Sequence, residues 1–375
     1  MPVKHPPPTT ASQSVCFIHS CVYNSGMHEA DIQVLATIRR TELAGESSDK
    51  STIESHADKY WKYLEDWSDS WGRLVDDGFI AGDDGGYKLT KSGRPLAEKY
   101  YAERPDHYWY YYQHYYPAAQ ASKAHSELCV RVFGKDLTQD GQADMNSLRD
   151  LIACLNIGKD DKVLDLGCGA GGISEYVSDE TGAHITGLDY ATSAIDVAMR
   201  RTQGKRDRLT FIQGDMNALE FPKHCFDKVI SVDTIYWVAN IDDALASIVR
   251  LVKPGGRLGI FIANSPLTDD SASAYEPRGT WVAKSLEKMG LDFDAHDYTE
   301  NFLPLWPKMK EVVMDLHDDF VAEGNEVIFD SFMLDADEDY LPALQAGKLR
   351  RYLYIVNVPD DVETALSDTY SPVVR

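Results

Sequence analysis

The segment that most constrains this chain is VLDLGCGAGG, residues 163–172. A short apolar run ends in a carboxylate and passes into closely spaced glycines. That order predicts a buried strand, a tight turn and the start of a helix. Glycines at the turn let backbone N–H groups approach a ligand closely. Gly167, Gly169 and Gly172 satisfy G-x-G-x-x-G, which by itself also suits a nicotinamide cofactor. Around it, short apolar segments alternate with helical ones. KVLDLG, HITGLD, LTFIQGD, FDKVISVD and GRLGIFIA read as strands, with EVIFDSFML and RRYLYIVNV as a final pair. Such alternation implies an α/β fold: a doubly wound, Rossmann-like, mostly parallel sheet covered by helices on both faces.

Three carboxylates narrow the ligand. Asp165 sits two residues before the first glycine, where an acid accepts hydrogen bonds from an ammonium group and gives no help to a pyrophosphate. Asp189 ends the second strand, where an acid bridges ribose hydroxyls. Asp215, in QGDMNAL, ends the third, within reach of an adenine amino group. Three acids with no phosphate partner suit a cationic adenosyl ligand.

At these residues the chain resembles the class I S-adenosylmethionine-dependent methyltransferases, and most of all the ubiquinone/menaquinone-biosynthesis-like small-molecule group. LDLGCGAGG looks like their first motif, GLDYA their acidic loop, GDMNAL their third motif and LVKPGGRLGIF a later turn and strand. The likeness spans about residues 150–265. It implies a seven-stranded sheet whose last strand is antiparallel, S-adenosyl-L-methionine as cofactor, and donor contacts from Asp165, Gly167, Cys168, Gly169, Asp189, Tyr190, Asp215, Met216 and Asp233.

The fourth strand runs into SVDTIYWVANIDDAL, residues 231–245, which lines the crevice at the carboxyl ends of the strands. It is similar to the S-x-D-x-x-x-H stretch of phosphoethanolamine methyltransferases. Asp233 matches their acid, but Trp237 stands where they have histidine, which speaks against an Asp/His proton relay. Asp233, Tyr236, Trp237 and His114 are the candidate catalytic residues. His107 and His125 are further candidate bases, and a helix N-cap is the alternative role for Asp233.

Tyr100 to Pro117 reads YYAERPDHYWYYYQHYYP and holds eight of the chain's 21 tyrosines. Helical spacing puts Tyr108, Tyr111, Tyr112 and Tyr115 on one stripe, with Trp109, Gln113 and Tyr116 beside it, in a helix expected to end at Pro117. With Trp237, the first stripe is the candidate substrate-binding wall. Hydroxyl-tipped rings suit a cationic, sulfonium-forming or polar aromatic acceptor. Packing alone also explains such a helix.

Upstream, helical spacing at Ile32, Leu35 and Ile38, further amphipathic helices and the hairpin FIAGDDGGYKLT resemble a winged-helix domain over residues 26–117. Its tip carries Asp83 and Asp84, and residues 31–100 hold 14 acidic and 10 basic side chains. The domain is therefore expected to serve dimerisation or to cover substrate rather than to bind nucleic acid. Residues 1–25 are expected to be a disordered tail. Residues 118–375 are the expected methyltransferase domain, with a helical lid insertion at 265–322. A net charge of −23 excludes partners recognised through anionic phosphates or lipid headgroups. Six scattered cysteines without a C-x-x-C pair give no metal site and fit a reduced, cytoplasmic setting. The expected partner is a small-molecule acceptor. A protein- or RNA-modifying methyltransferase, or a non-catalytic ligand sensor with a regulatory winged helix, is the alternative.

Overall fold

The computed structural model describes residues 27–64, 67–83, 86–104, 108–264 and 272–361. The tail expected over 1–25, Asp84 and His107 lie outside them. The chain forms two compact units, one of residues 1–59 with 64–105, the other of 60–63 with 106–375.

The first unit contains α1 (Glu29–Ala44), most of α2 (Lys50–Tyr60), α3 (Ser70–Asp76), the antiparallel hairpin β1 (Ile80–Asp83) and β2 (Gly86–Leu89), and α4 (Gly93–Glu103). Ile32, Leu35 and Ile38 are fully buried on α1, as their spacing predicts. Arg104, itself buried, pairs with Glu29 at the start of α1 at 2.5 Å.

The second unit opens with α5 (Trp109–Ala121), α6 (Lys123–Phe133) and α7 (Met145–Leu155). The sheet follows: β3 (Lys162–Leu166), α8 (Gly172–Thr181), β4 (His184–Asp189), α9 (Thr192–Arg201), β5 (Leu209–Gln213), β6 (Phe226–Val232), α10 (Ile241–Leu251), β7 (Val252–Asn264), α11 (Trp281–Lys288) and β8 (Asp292–Asp297). A helical run of α12 (Thr299–Phe302), α13 (Leu305–Asp315), α14 (His317–Ala322), α15 (Glu326–Leu334) and α16 (Leu341–Gln345) leads to β9 (Arg350–Asn357). Seven strands pair in the order β5-β4-β3-β6-β7-β9-β8, with β9 antiparallel to both of its neighbours. This is the Rossmann-like methyltransferase sheet. Central strands such as β3 and β6 are buried almost throughout, as strands covered on both faces must be.

Several sequence expectations need correction. EVIFDSFML is α15, not a strand. Ile328, Ser331 and Phe332 are its buried residues, a helical spacing that a short apolar run conceals. The strand missed was β8, DFDAHD, inside the segment expected to be a helical lid. It lies at the sheet edge and buries only Phe293 well, so it carries little apolar signal. Residues 265–322 are therefore not one helical insertion. The aromatic helix α5 groups with the second unit rather than closing the first. It also runs through Pro117 to Ala121. Proline denies a hydrogen bond to the carbonyl four residues earlier, and here that carbonyl, of Gln113, accepts the Ser193 hydroxyl at 2.6 Å instead. Among the described residues no helix is long and apolar enough to cross a membrane.

Candidate functional site

The glycine turn between β3 and α8 is held by Gly167 and Cys168 N–H groups, which donate to the Leu188 carbonyl at 2.8 and 3.0 Å. Gly169 has φ +51°, and a Cβ there would lie 2.6 Å from the Tyr116 ring and hydroxyl. Gly167, at φ +71°, would strike Thr234 in the same way. Both positions need glycine for backbone conformation and for space. Tyr116 of α5 thus lies directly over the loop, and Gln113 of the same helix accepts from the Ser193 N–H at 3.3 Å near the start of α9.

Two carboxylates stand beside the loop. Asp165 is buried and accepts from the Ser174 hydroxyl at 2.5 Å. Burial pushes its pKa up to about 7, outweighing that hydrogen bond. Asp189 is buried and accepts from the Gly169 and Ala191 N–H groups, each at 2.9 Å. Burial raises it to about 6 despite these amides. Neither is paired with Lys or Arg among the described residues. Buried acids so arranged are short of positive charge, which is what a cationic ligand supplies. Asp215 is partly buried and is held by the Asn217 N–H and side-chain amide, both at 2.8 Å. Tyr190 is half-buried at the end of β4, whereas Met216 is buried in the core beside Leu188. The Cys168 thiol is buried and held protonated by burial.

Asp233 does not stand as an open base. It follows β6 in a left-handed backbone conformation, φ +58°. Its carboxylate takes both Arg351 guanidinium nitrogens, at 2.6 and 2.9 Å, and the Gln142 N–H at 2.8 Å. Nor is it a helix N-cap: the cap of α10 is Asn240. Arg351 lies 5.0 Å from the ring centres of Phe261 and Phe302. The Gln142 side chain bridges the Tyr340 hydroxyl and the Trp306 indole N–H, and those two rings stack at 4.0 Å. Tyr340 ends a π-helical turn, Asp335–Tyr340, an irregularity frequent at functional sites. The Tyr236 hydroxyl accepts from the Ala263 N–H and donates weakly to Asp233.

The remaining expected residues fall on one aromatic cluster. Trp237 faces Tyr108 at 4.4 Å, Tyr112 stacks on Tyr116 at 5.7 Å, and Tyr111 stacks on Tyr115 at 5.3 Å. His114 stacks against Tyr63 at 5.6 Å and faces Tyr110. His125 is buried, and burial lowers its pKa to about 4. Its Nε2 meets the Tyr115 hydroxyl at 2.8 Å. Cys129 and Asp136 lie near it, but the Cys129 sulfur is 3.7 and 3.9 Å from the two ring nitrogens, roughly equidistant rather than along either lone pair. Sequence reasoning missed Tyr116 as a loop cover, and it missed Asp140, Gln142, Tyr340 and Arg351. The available signal, for Arg351 alone, was the pair of arginines that opens the largely apolar strand RRYLYIVNV.

A family model described as "Methyltransferase domain" matches residues 164–260, the stretch from β3 to β7. Phosphoethanolamine N-methyltransferase 1 of Zea mays is 27% identical over 235 residues, covering 60% of this chain and 46% of its own length. Sterol 24-C-methyltransferase erg-4 of Neurospora crassa is 36% identical over 113 residues, covering 30% of each. The chain thus spans less than half the length of these curated relatives. Among solved structures, phosphoethanolamine N-methyltransferase 2 of Haemonchus contortus, in complex with S-adenosyl-L-methionine, aligns with a TM-score of 0.53 at 18% identity. That alignment covers 80% of this chain and 76% of the other, and the fold is shared.

Proposed function

We propose that this chain is an S-adenosyl-L-methionine-dependent methyltransferase that acts on a small-molecule acceptor. The observation that carries the reading is the pair of buried carboxylates, Asp165 and Asp189, beside the glycine turn, neither paired with Lys or Arg among the described residues. When bound, the cofactor supplies an activated methyl group on a positively charged sulfur. Asp165 receives the ammonium of its amino-acid end, Asp189 holds the ribose hydroxyls, and Asp215 orients the adenine amino group. Tyr116 covers the loop and keeps water from it. Tyr108, Tyr111, Tyr112, Tyr115 and Trp237 form the acceptor wall, with ring faces that favour a cationic or polar aromatic molecule. Catalysis is then largely positioning, with the nucleophile held about 3–3.5 Å from the methyl carbon. The shared methyltransferase motifs of β3 to β7 and the relatives' small-molecule activities support this reading, and the net charge of −23 disfavours a nucleic-acid substrate.

The test is calorimetry of the purified chain with S-adenosyl-L-methionine and with S-adenosyl-L-homocysteine, followed by methyl-labelled donor in an extract of small metabolites. Saturable binding of both compounds and label in a small product are expected. Absence of binding would remove the function.

A further inference from the structure

Asp140 lies on the loop between α6 and α7 and plays no part in the donor site. It is partly buried, so part of its surface stays accessible. Its hydrogen-bond partner is a tyrosine hydroxyl: Tyr112 donates at 3.0 Å. Its charge is felt by Tyr63, Tyr111, Tyr112, Tyr115 and Tyr116, so rings from two chain segments surround one acid. The Tyr63 hydroxyl is buried and has no hydrogen-bond partner among the described residues. Lys62 exerts a weaker pull on Asp140 and donates to Ser331 at 3.3 Å. Through Tyr112 the acid is one ring from Tyr116 over the glycine turn and one ring from Tyr190 after Asp189. Asp233, the other acid near the acceptor wall, is closed by Arg351.

We propose that Asp140, and not Asp233, is the carboxylate that takes the proton from the acceptor's nucleophilic N–H or O–H group. This inference rests on the methyl-transfer reading above. The nucleophile's lone pair forms the new bond to the methyl carbon, and the electron pair of the broken sulfur–carbon bond stays on sulfur. The proton released by the nucleophile passes to Asp140, while Tyr112 holds the carboxylate in place. Desolvation, with a contribution from the charge of Asp233, raises the Asp140 pKa to about 6, against the opposing pull of the tyrosine hydroxyls and Lys62. A carboxyl group in that range is a better base near neutral pH than an ordinary aspartate. The titratable groups facing it are Tyr63 and Lys62 of the 60–63 segment, Tyr111, Tyr112, Tyr115 and Tyr116 of α5, Cys129 of α6 and Asp233 after β6.

The experiment compares wild type, Asp140→Asn and Asp140→Glu, using labelled donor and a panel of small primary amines, alcohols and phenols. Expected for Asp140→Asn is a loss of kcat of about a hundredfold or more, with the Kd for S-adenosyl-L-homocysteine within about twofold of wild type. The acidic limb of kcat at saturating donor, with apparent pKa near 6 in wild type, should vanish in that variant and persist, displaced, in Asp140→Glu with partial activity. Label in amines alone identifies an N–H acceptor; label in alcohols or phenols identifies an O–H acceptor. Either is consistent with the proposal. Full turnover by Asp140→Asn, an unchanged acidic limb, or no labelling of any panel member by a wild-type protein that binds the homocysteine compound would overturn it. Loss of donor binding in wild type would instead overturn the methyltransferase reading itself.

Discussion

Replacing Asp233 with Asn tests the ion pair that removes this acid from the list of bases. Asparagine adopts the left-handed conformation nearly as well as aspartate, so the backbone is spared and the charge is what changes. The Asp233 and Arg351 side chains are 3% and 1% exposed, so solvent screens the pair little. Asn keeps one acceptor for the guanidinium, and its amide N–H₂ then points at an Arg351 N–H in either orientation, and in one of them at the Gln142 N–H as well. Leaving one member of a buried pair uncompensated costs about 3–5 kcal/mol. With one hydrogen bond retained, about 3 kcal/mol is expected, at the low end of that range. For a unit of this size each kcal/mol moves Tm by about 2–4 °C, so calorimetry should read a fall of about 6–12 °C. Arg351→Met alone should cost a similar amount, because it strands the acid. The double variant should recover a coupling of at least about 1.5 kcal/mol. Additive losses, or an Asp233→Asn protein with the wild-type Tm, would show that Arg351 does not hold Asp233 and would return it to the list of candidate bases.

Asp165 and Asp189 have folded pKa values raised to about 7 and about 6, so the folded protein binds more protons than the unfolded chain between about pH 4 and 7. Their contribution to stability therefore falls as pH rises through that window. A cationic donor selects the ionised carboxylates, so calorimetry at about pH 6 in buffers of different ionisation enthalpy should detect release of about one proton per donor bound; at about pH 8.5 no release is expected, and equal heats in both buffers at the lower pH would refute the placement. Gly169→Ala adds a methyl group 2.6 Å from the Tyr116 ring at φ +51°; donor affinity should fall at least tenfold, and partial recovery in Gly169→Ala/Tyr116→Ala would identify the ring as the obstacle. Asp189→Ala should also weaken donor binding tenfold or more while the protein stays folded, and unchanged affinity would dissociate that acid from the ribose.

The sheet was legible because its strands are short, apolar and separated by turn residues, and because VLDLGCGAGG announces its own loop. The edge strand β8 was not, since an acidic strand with one well-buried phenylalanine lacks the alternation that marks a half-buried strand. α15 was mistaken for a strand because a nine-residue segment with six apolar residues fits both periods. The acids proposed for the donor were legible as candidates because they occupy strand ends, where position alone suggests chemistry. Asp140 was not, because the sequence cannot show that Asp140 in TQDGQAD is enclosed among rings while neighbouring acids face water. Asp233 was located correctly and its role misread: its partner lies 118 residues away on β9, a distance over which no local pattern carries information.

The position of β9 also governs when the molecule becomes complete. It is the last of the described strands, yet it is inserted between β7 and β8 and bonds to both. During synthesis β8 therefore leaves the ribosome with no neighbour to pair with, and Asp233 awaits its counter-charge until residue 351 arrives. A nascent chain stopped before β9 has an open strand edge and a stranded acid, so the second unit completes its sheet only once residues 350–357 have emerged, and truncation before β9 should yield aggregation-prone protein.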